Sequence, residues 1–437
     1  MQNQSSYPRV LLVSRAEISD ADSSGISRGR WFADWPKDRI AQIYSSPSAS
    51  KEPFCPIRYE FGADDRQFGN LFARAKRSSF GTAFRQQLVQ HSADGWLKQK
   101  LRGIKCLTID SLVKTGFWEL LFYPQPSQRM SEWCLQFQPD LIYTTCTDLS
   151  YIELSLYLKS ALNIPMSLQV DDDWLGTLYT KGLSAHFLRP FVEKKINRLL
   201  SDSSVCFSTG PLMSAEYMRR YGKHFEPIYL ADNIERFDQC IPKRLGNDSK
   251  FIIVYSGSLY LGRWRGLLDL DSALSQMAVE SEIRVFTGHI PPEAASAFAA
   301  CPRIQTHPGL KDAEVPSLFK GADMLFLPES FEAKYQDYIR FSISSKAHIY
   351  MMSGRPIIVY GPSEAGVVEY ARTNGWATVV DQRNIDGLAE AVMSIEGRSP
   401  EIDETLRRAR STAERNHDGD QVRNHFKNNL RKCANRQ

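Results

Sequence analysis

Three consecutive carboxylates, Asp171, Asp172 and Asp173, follow the apolar run from Pro165 to Val170 and stand just before Trp174. The carboxyl end of a buried strand is a poor place for acidic side chains to pack and a good place for them to face a cleft. Like charges so close repel one another, so at least one carboxyl should hold its proton to a higher pH than usual unless a cation or donor stands beside it. Such a group suits proton transfer; an acidic turn that binds nothing is the alternative. A second cluster, Ser342, Ser344, Ser345 and Lys346, precedes Ala347, Tyr350 and Met351, which recur at the spacing of one helical face. Serines at a helix start are good caps, and the free N–H groups of that first turn attract phosphate. Plain capping beside a solvated Lys346 is the alternative there.

These clusters need elements to hold them. Gly354 falls where a left-handed C-cap belongs, and Pro356 opens the apolar run from Ile357 to Tyr360. Phe341 to Pro362 therefore reads as turn, helix, stop and buried strand, one repeat of an α/β fold. Pro8 to Val13 reads as a first parallel strand and Ser14 to Arg30 as a polar loop carrying Ser23, Ser24, Gly25 and Gly29. Trp31 to Trp35 then ends a first helix and Ile40 to Tyr44 forms a second strand. The glycine spacing in that loop is not a dinucleotide fingerprint, so no nicotinamide cofactor is implied. Ser24 and Gly25 either line a cleft between domains or sit in a flexible surface turn. Further along, Leu149 to Leu162 reads as a helix and Phe251 to Tyr255 as a strand entering the turn Ser256-Gly257-Ser258. Ala322 to Pro328 is another strand, with Glu329 just past its end.

A chain of 437 residues is too long for one ordinary core, so two domains are expected. The net charge of +4 and 42% hydrophobic content describe a globular protein, not a nucleic-acid-binding tail or a disordered chain. The polar start from Met1 to Tyr7 predicts no signal peptide, and no apolar run is long enough to span a bilayer, which points to the cytoplasm. Eight scattered cysteines, with no Cys-x-x-Cys pair, read as reduced thiols rather than metal ligands. The stretch 66–123 stands apart: Arg66, Arg74, Arg77 and Lys98 are interleaved with Phe72, Phe80 and Trp96. It is either a peripheral contact with the inner face of an anionic membrane or a pair of core-packing helices with a basic face.

Ser344-Ser345-Lys346, Tyr350 and Gly354-Arg355-Pro356-Ile357-Ile358 resemble a segment in the C-terminal domain of GT-B glycosyltransferases of the family 4-like, group 1 kind. Phe207-Ser208, Met213, Tyr217, Arg220-Tyr221-Gly222, Asn233 and Phe237 resemble the run that closes the N-terminal domain of those enzymes. Gly257, Arg263, Arg265 and Gly266 are similar to their donor-binding loop, and Asp172-Asp173-Trp174 to an Asp-Asp-Trp segment in some of them. The resemblance implies two Rossmann-like domains facing across a cleft, with a C-terminal helix crossing back to the first. It places an acceptor domain at 1–237, including a helical insert at 60–130, a linker at 238–250, a nucleotide-sugar domain at 251–397 and a helical extension at 398–437.

It further implies transfer of a sugar from a UDP- or GDP-linked donor to a glycan or lipid-linked acceptor, with retention, in surface polysaccharide synthesis, and with no metal and no other cofactor. Gly257, Arg263, Arg265, Glu329, Ser344, Ser345 and Lys346 would hold the donor, Arg265 being the better match for the diphosphate. A fixed guanidinium there would stabilise the charge that grows on the leaving diphosphate. Asp172 and Asp173 would meet the acceptor or the transferred sugar, and Ser24 and Gly25 would lie on the acceptor side. The pattern departs from the family at the spaced glutamate pair, whose places fall on Phe341 and Ile349, and at the histidine before the paired aspartates, where Gln169 stands. A sugar-nucleotide epimerase and a non-catalytic scaffold of the same fold are the alternatives.

Overall fold

The computed structural model describes residues 7–19, 23–48, 53–71, 117–180, 182–243 and 250–435. Most of the basic, aromatic stretch therefore lies outside the described residues, and so do residues 244–249 of the linker.

The strands form two parallel sheets whose central strands are buried on both faces, which is why β1, β11 and β12 read as continuous apolar runs, while the edge strands are partly exposed. The first holds seven strands in the order β3 (Ile57–Glu60), β2 (Ile40–Tyr44), β1 (Val10–Ser14), β4 (Leu141–Thr145), β5 (Met166–Val170), β6 (Ser203–Ser208) and β7 (Glu226–Pro227). The second holds six: β10 (Ile304–Pro308), β9 (Ser281–Thr287), β8 (Phe251–Ser256), β11 (Met324–Pro328), β12 (Ile357–Tyr360) and β13 (Thr378–Val380). In both sheets the order reverses beside the first strand. Ligands of doubly wound sheets gather outside the carboxyl ends at such a point.

The tail is two helices, not one. Pro400–Asn416 adds Ala409 and Ala413 to the core of the second domain, whereas Gly419–Ala434 adds Val422, Phe426 and Leu430 to that of the first. The Phe426 ring meets Phe32 edge-on at 4.9 Å and Tyr143 at 5.6 Å. Between the helices His417 is buried, with Nδ1 on the Leu230 carbonyl at 2.6 Å and Nε2 on the Tyr370 hydroxyl at 2.9 Å. Asp418 then caps the last helix by accepting from the Gln421 N–H.

Two local expectations change. Ser23, Ser24 and Gly25 form the first turn of the helix Ser23–Trp31 instead of a loop. Gly25 is needed there because a Cβ would overlap the Ser19 backbone. The helix after the serine cluster runs Ala347–Met352, but no serine side chain caps it; the Ser344 carbonyl accepts from the Ala347 N–H at 3.0 Å instead. Gly354 takes the expected left-handed conformation at φ 68°.

Candidate functional site

A cleft of about 1160 Å³ runs between the two sheets' carboxyl ends and is walled by both domains. On the second domain, β8 ends at Ser256 and its N–H donates to the Tyr350 hydroxyl at 3.0 Å. That bond ties the turn Ser256-Gly257-Ser258 to the helix Ala347–Met352. It brings Lys346 across Gly257, where a Cβ would overlap the lysine's Cε. Gly257 has φ 140°, a conformation that side-chain-bearing residues rarely adopt. Lys346 is 8% exposed, its Nζ 5.6 Å from the Tyr255 ring, and it has no hydrogen-bond acceptor among the described residues. Burial, then the neighbouring Arg263, bring its ammonium down to about 7, with Glu329 pulling the other way.

Arg263 and Glu329 form a buried two-pronged pair, Nε to Oε2 at 2.9 Å and Nη2 to Oε1 at 3.1 Å. The pair is neutral as a unit, so Lys346 supplies the charge that is not already matched. Ser344 and Ser345 line the same wall. Arg265 does not: it is half exposed, lies over the Trp264 ring at 4.4 Å and pairs with Glu332 at 3.4 Å. The geometry therefore brings Gly257, Arg263, Glu329, Ser344, Ser345 and Lys346 together and leaves Arg265 outside, although sequence resemblance favoured it.

On the first domain, Asp171 and Asp172 line the cleft with Thr209, Ile26, Ser27 and Arg30. Burial raises the Asp171 carboxyl, Arg28 at 3.3 Å opposes that shift, and Asp172 adds to it. Asp172 reaches across to the second domain, accepting from the Tyr338 hydroxyl at 2.7 Å and the Ser342 hydroxyl at 2.9 Å. Asp173 turns the other way. It is buried, caps Trp174–Thr177 through the Gly176 N–H at 3.2 Å, and accepts from Tyr217 at 3.0 Å and Arg220 at 2.8 Å. Its lone pairs are spent on structure, and Asp171 occupies the place expected for it in the cleft. Ser24 and Gly25 are not among the lining residues; Ile26 and Ser27, next along the helix, are.

Sequence reasoning also missed the role of Phe341. It belongs to the second domain by chain position yet packs into the core of the first, with Arg220 over its ring at 5.1 Å. Ile343 follows it down against Gly210, where a Cβ would leave no room for the isoleucine. The loop that carries Ser344, Ser345 and Lys346 is thus pinned to the opposite domain through Asp172, Phe341 and Ile343. His348 is a second omission: it lines the cleft, is 4% exposed, and neither ring nitrogen has a partner among the described residues. Among the described residues no group of three or more His, Cys, Asp or Glu is arranged to hold a metal ion. No described helix is long and apolar enough to cross a membrane.

No family model matches the sequence, and no curated protein matches it. Solved structures do match the fold. Anabaena Alr3699/HepE in complex with UDP and glucose superposes with TM-score 0.61 at 12% identity, over 97% of this chain and 100% of that one. Sucrose-phosphate synthase from Thermosynechococcus elongatus gives TM-score 0.61 at 12% identity, over 97% and 98%. WaaG, a glycosyltransferase involved in lipopolysaccharide biosynthesis, gives 0.58 at 12%, over 98% and 100%. The match extends over nearly the whole of each chain and takes in both parallel sheets: the chain has the GT-B fold.

Proposed function

We propose that this protein is a glycosyltransferase that moves a sugar from a UDP- or GDP-linked donor to a glycan or lipid-linked acceptor. The observation that carries the reading is Lys346, buried beside Arg263 on the cleft wall, where the nearby Glu329 is paired with Arg263 and no carboxylate among the described residues pairs with the lysine. A buried amine without a counter-ion is costly until an anion arrives, and a diphosphate supplies one. Lys346 and Arg263 would stabilise the charge that develops on the leaving diphosphate, and the serine turn Ser344-Ser345 would orient it. Asp171 and Asp172, on the facing wall, would meet the acceptor or the transferred sugar. HepE was captured with UDP and with UDP-glucose, which supports the donor class.

Retention of anomeric configuration, a role in surface polysaccharide synthesis and a peripheral position at the inner membrane face belong to the same proposal. The test is direct. With UDP- and GDP-sugars, binding should be saturable and Lys346→Met should weaken it by at least about tenfold, the effect of losing a charged hydrogen bond. Equal affinity in wild type and variant would overturn the assignment. Turnover of the donor with no acceptor present would point to epimerase chemistry.

A further inference from the structure

Asp172 belongs to the first domain, yet both of its side-chain oxygens accept from the second. The Tyr338 hydroxyl donates to Oδ2 at 2.7 Å and the Ser342 hydroxyl to Oδ1 at 2.9 Å. All three residues line the cleft, as does Arg263, whose charge the Tyr338 hydroxyl feels. Burial first, and the Asp172 charge next, raise that hydroxyl, with Arg263 opposing. It therefore keeps its proton and serves the carboxylate as a donor. Tyr338 lies in the helix Ala333–Ile339, and Ser342 follows in the loop that Phe341 and Ile343 dock on the first domain.

What these two bonds fix is the side chain. The backbone around it is already held, since the Asp172 carbonyl accepts from the Trp174 N–H at 2.7 Å and the next residue, Asp173, is locked by Tyr217 and Arg220. A carboxylate on a fixed backbone can still turn about its side-chain torsions, and a donor on each oxygen stops it. Each carboxylate oxygen offers two lone pairs, so one on each stays open to a hydroxyl in the cleft. The bonds aim the group without using it up. We infer that Tyr338 and Ser342 are positioning residues for Asp172, through which the second domain orients a carboxylate of the first, so that the reacting geometry is complete only while the two domains are together. The bridge stands on the geometry alone; its effect on turnover rests on the glycosyl-transfer reading.

The test uses the full chain with UDP- and GDP-linked sugars and water as the acceptor, read as nucleotide released. Tyr338→Phe keeps the ring and removes the hydroxyl. It should lower kcat about tenfold, the effect of losing a hydrogen bond to a charged group, with donor KM within about twofold of wild type. Ser342→Thr keeps a hydroxyl that Ser342→Val, of the same shape, lacks. The threonine variant should retain most of the turnover, and the valine variant should lose about as much as Tyr338→Phe. In an Asp172→Ala background Tyr338→Phe should cost nothing further, because it acts through that carboxylate. With no ligand present, the Cζ signal of Tyr338 in isotope-labelled protein, assigned by NMR as the one that Tyr338→Phe removes, should move in Asp172→Ala. Unchanged or faster turnover in Tyr338→Phe, a rise in KM alone, an equal loss in the Asp172→Ala background, or a Cζ signal that stays in place would overturn the positioning role. A Cζ signal that moves in a protein that turns over no sugar nucleotide would keep the bridge and overturn the glycosyl-transfer reading.

Discussion

The Lys346 side chain lies across Gly257, and only the missing Cβ of the glycine leaves room for it. The two residues come from β8 and from the turn before the helix Ala347–Met352, joined by the Ser256 to Tyr350 bond.

Gly257→Ala should therefore act through the lysine it displaces. The methyl group displaces Lys346 and forces a residue with a side chain to φ 140°, at a cost of about 1–3 kcal/mol. Nucleoside diphosphate affinity should fall by about as much as in Lys346→Met, roughly tenfold or more. Isothermal titration beside thermal unfolding separates the two effects, because Lys346→Met should lose affinity without losing stability.

The lowered ammonium of Lys346 sets a pH dependence. Below about 7 the amine is charged in both free and bound protein, and affinity is flat. Above about 7 the free protein holds a neutral amine, whereas a bound diphosphate favours the ammonium, so binding takes up a proton. Affinity should then fall by up to about tenfold per pH unit in wild type and stay flat in Lys346→Met. Stability runs the opposite way. The unfolded chain keeps this proton up to the ordinary value of 10.5, so the cost of burying the charge is full below about 7 and is relieved as pH rises toward 10.5. Titrations at several pH values, with and without the substitution, check both trends.

Asp172 and Asp173 should part company under the same substitution. Asp173→Ala strips a buried carboxylate from Arg220, Tyr217 and the Gly176 N–H, and breaking such a pair costs about 3 kcal/mol. Asp172→Ala should leave folding nearly intact and lower turnover, since that carboxylate faces the cleft and, among the described residues, its hydrogen bonds are to Tyr338 and Ser342. Denaturant unfolding and a sugar-transfer assay on both variants read the contrast.

Phe341→Ala should loosen the two domains. The ring is 7% exposed in the core of the first domain, and truncating a buried phenylalanine costs about 3–5 kcal/mol. Because the loop it anchors continues into Ser344, Ser345 and Lys346, nucleotide affinity should fall as well. Small-angle scattering should report a larger radius of gyration than wild type.

These contrasts show what a linear reading reaches. The repeat from Phe341 to Pro362 was legible because its helix, glycine stop and buried strand are set by neighbours in sequence. The two-helix tail is also legible in principle, since Asn416-His417-Asp418-Gly419 carries a stop and a new cap, but both halves are polar and basic on one side and so resemble one helix. The choice between Arg263 and Arg265 was not legible. Both flank Trp264, and which of them faces the cleft depends on Glu329, far along the chain. Asp173 looked like its neighbours for the same reason, since its partners Tyr217 and Arg220 lie on another helix. Phe341 stood at a place where the family pattern led one to expect a carboxylate, and nothing local says that an aromatic there docks on the other domain.

On the proposed function, the Lys346 and Arg263 wall binds a nucleoside diphosphate. Thermal unfolding of the purified chain with UDP, GDP, CDP, ADP and TDP tests it in one experiment. UDP or GDP, at about a hundred times its dissociation constant, should add roughly 2.7 kcal/mol of stability in wild type and much less in Lys346→Met. Stabilisation by none of the five, or the same stabilisation in the variant, would contradict it.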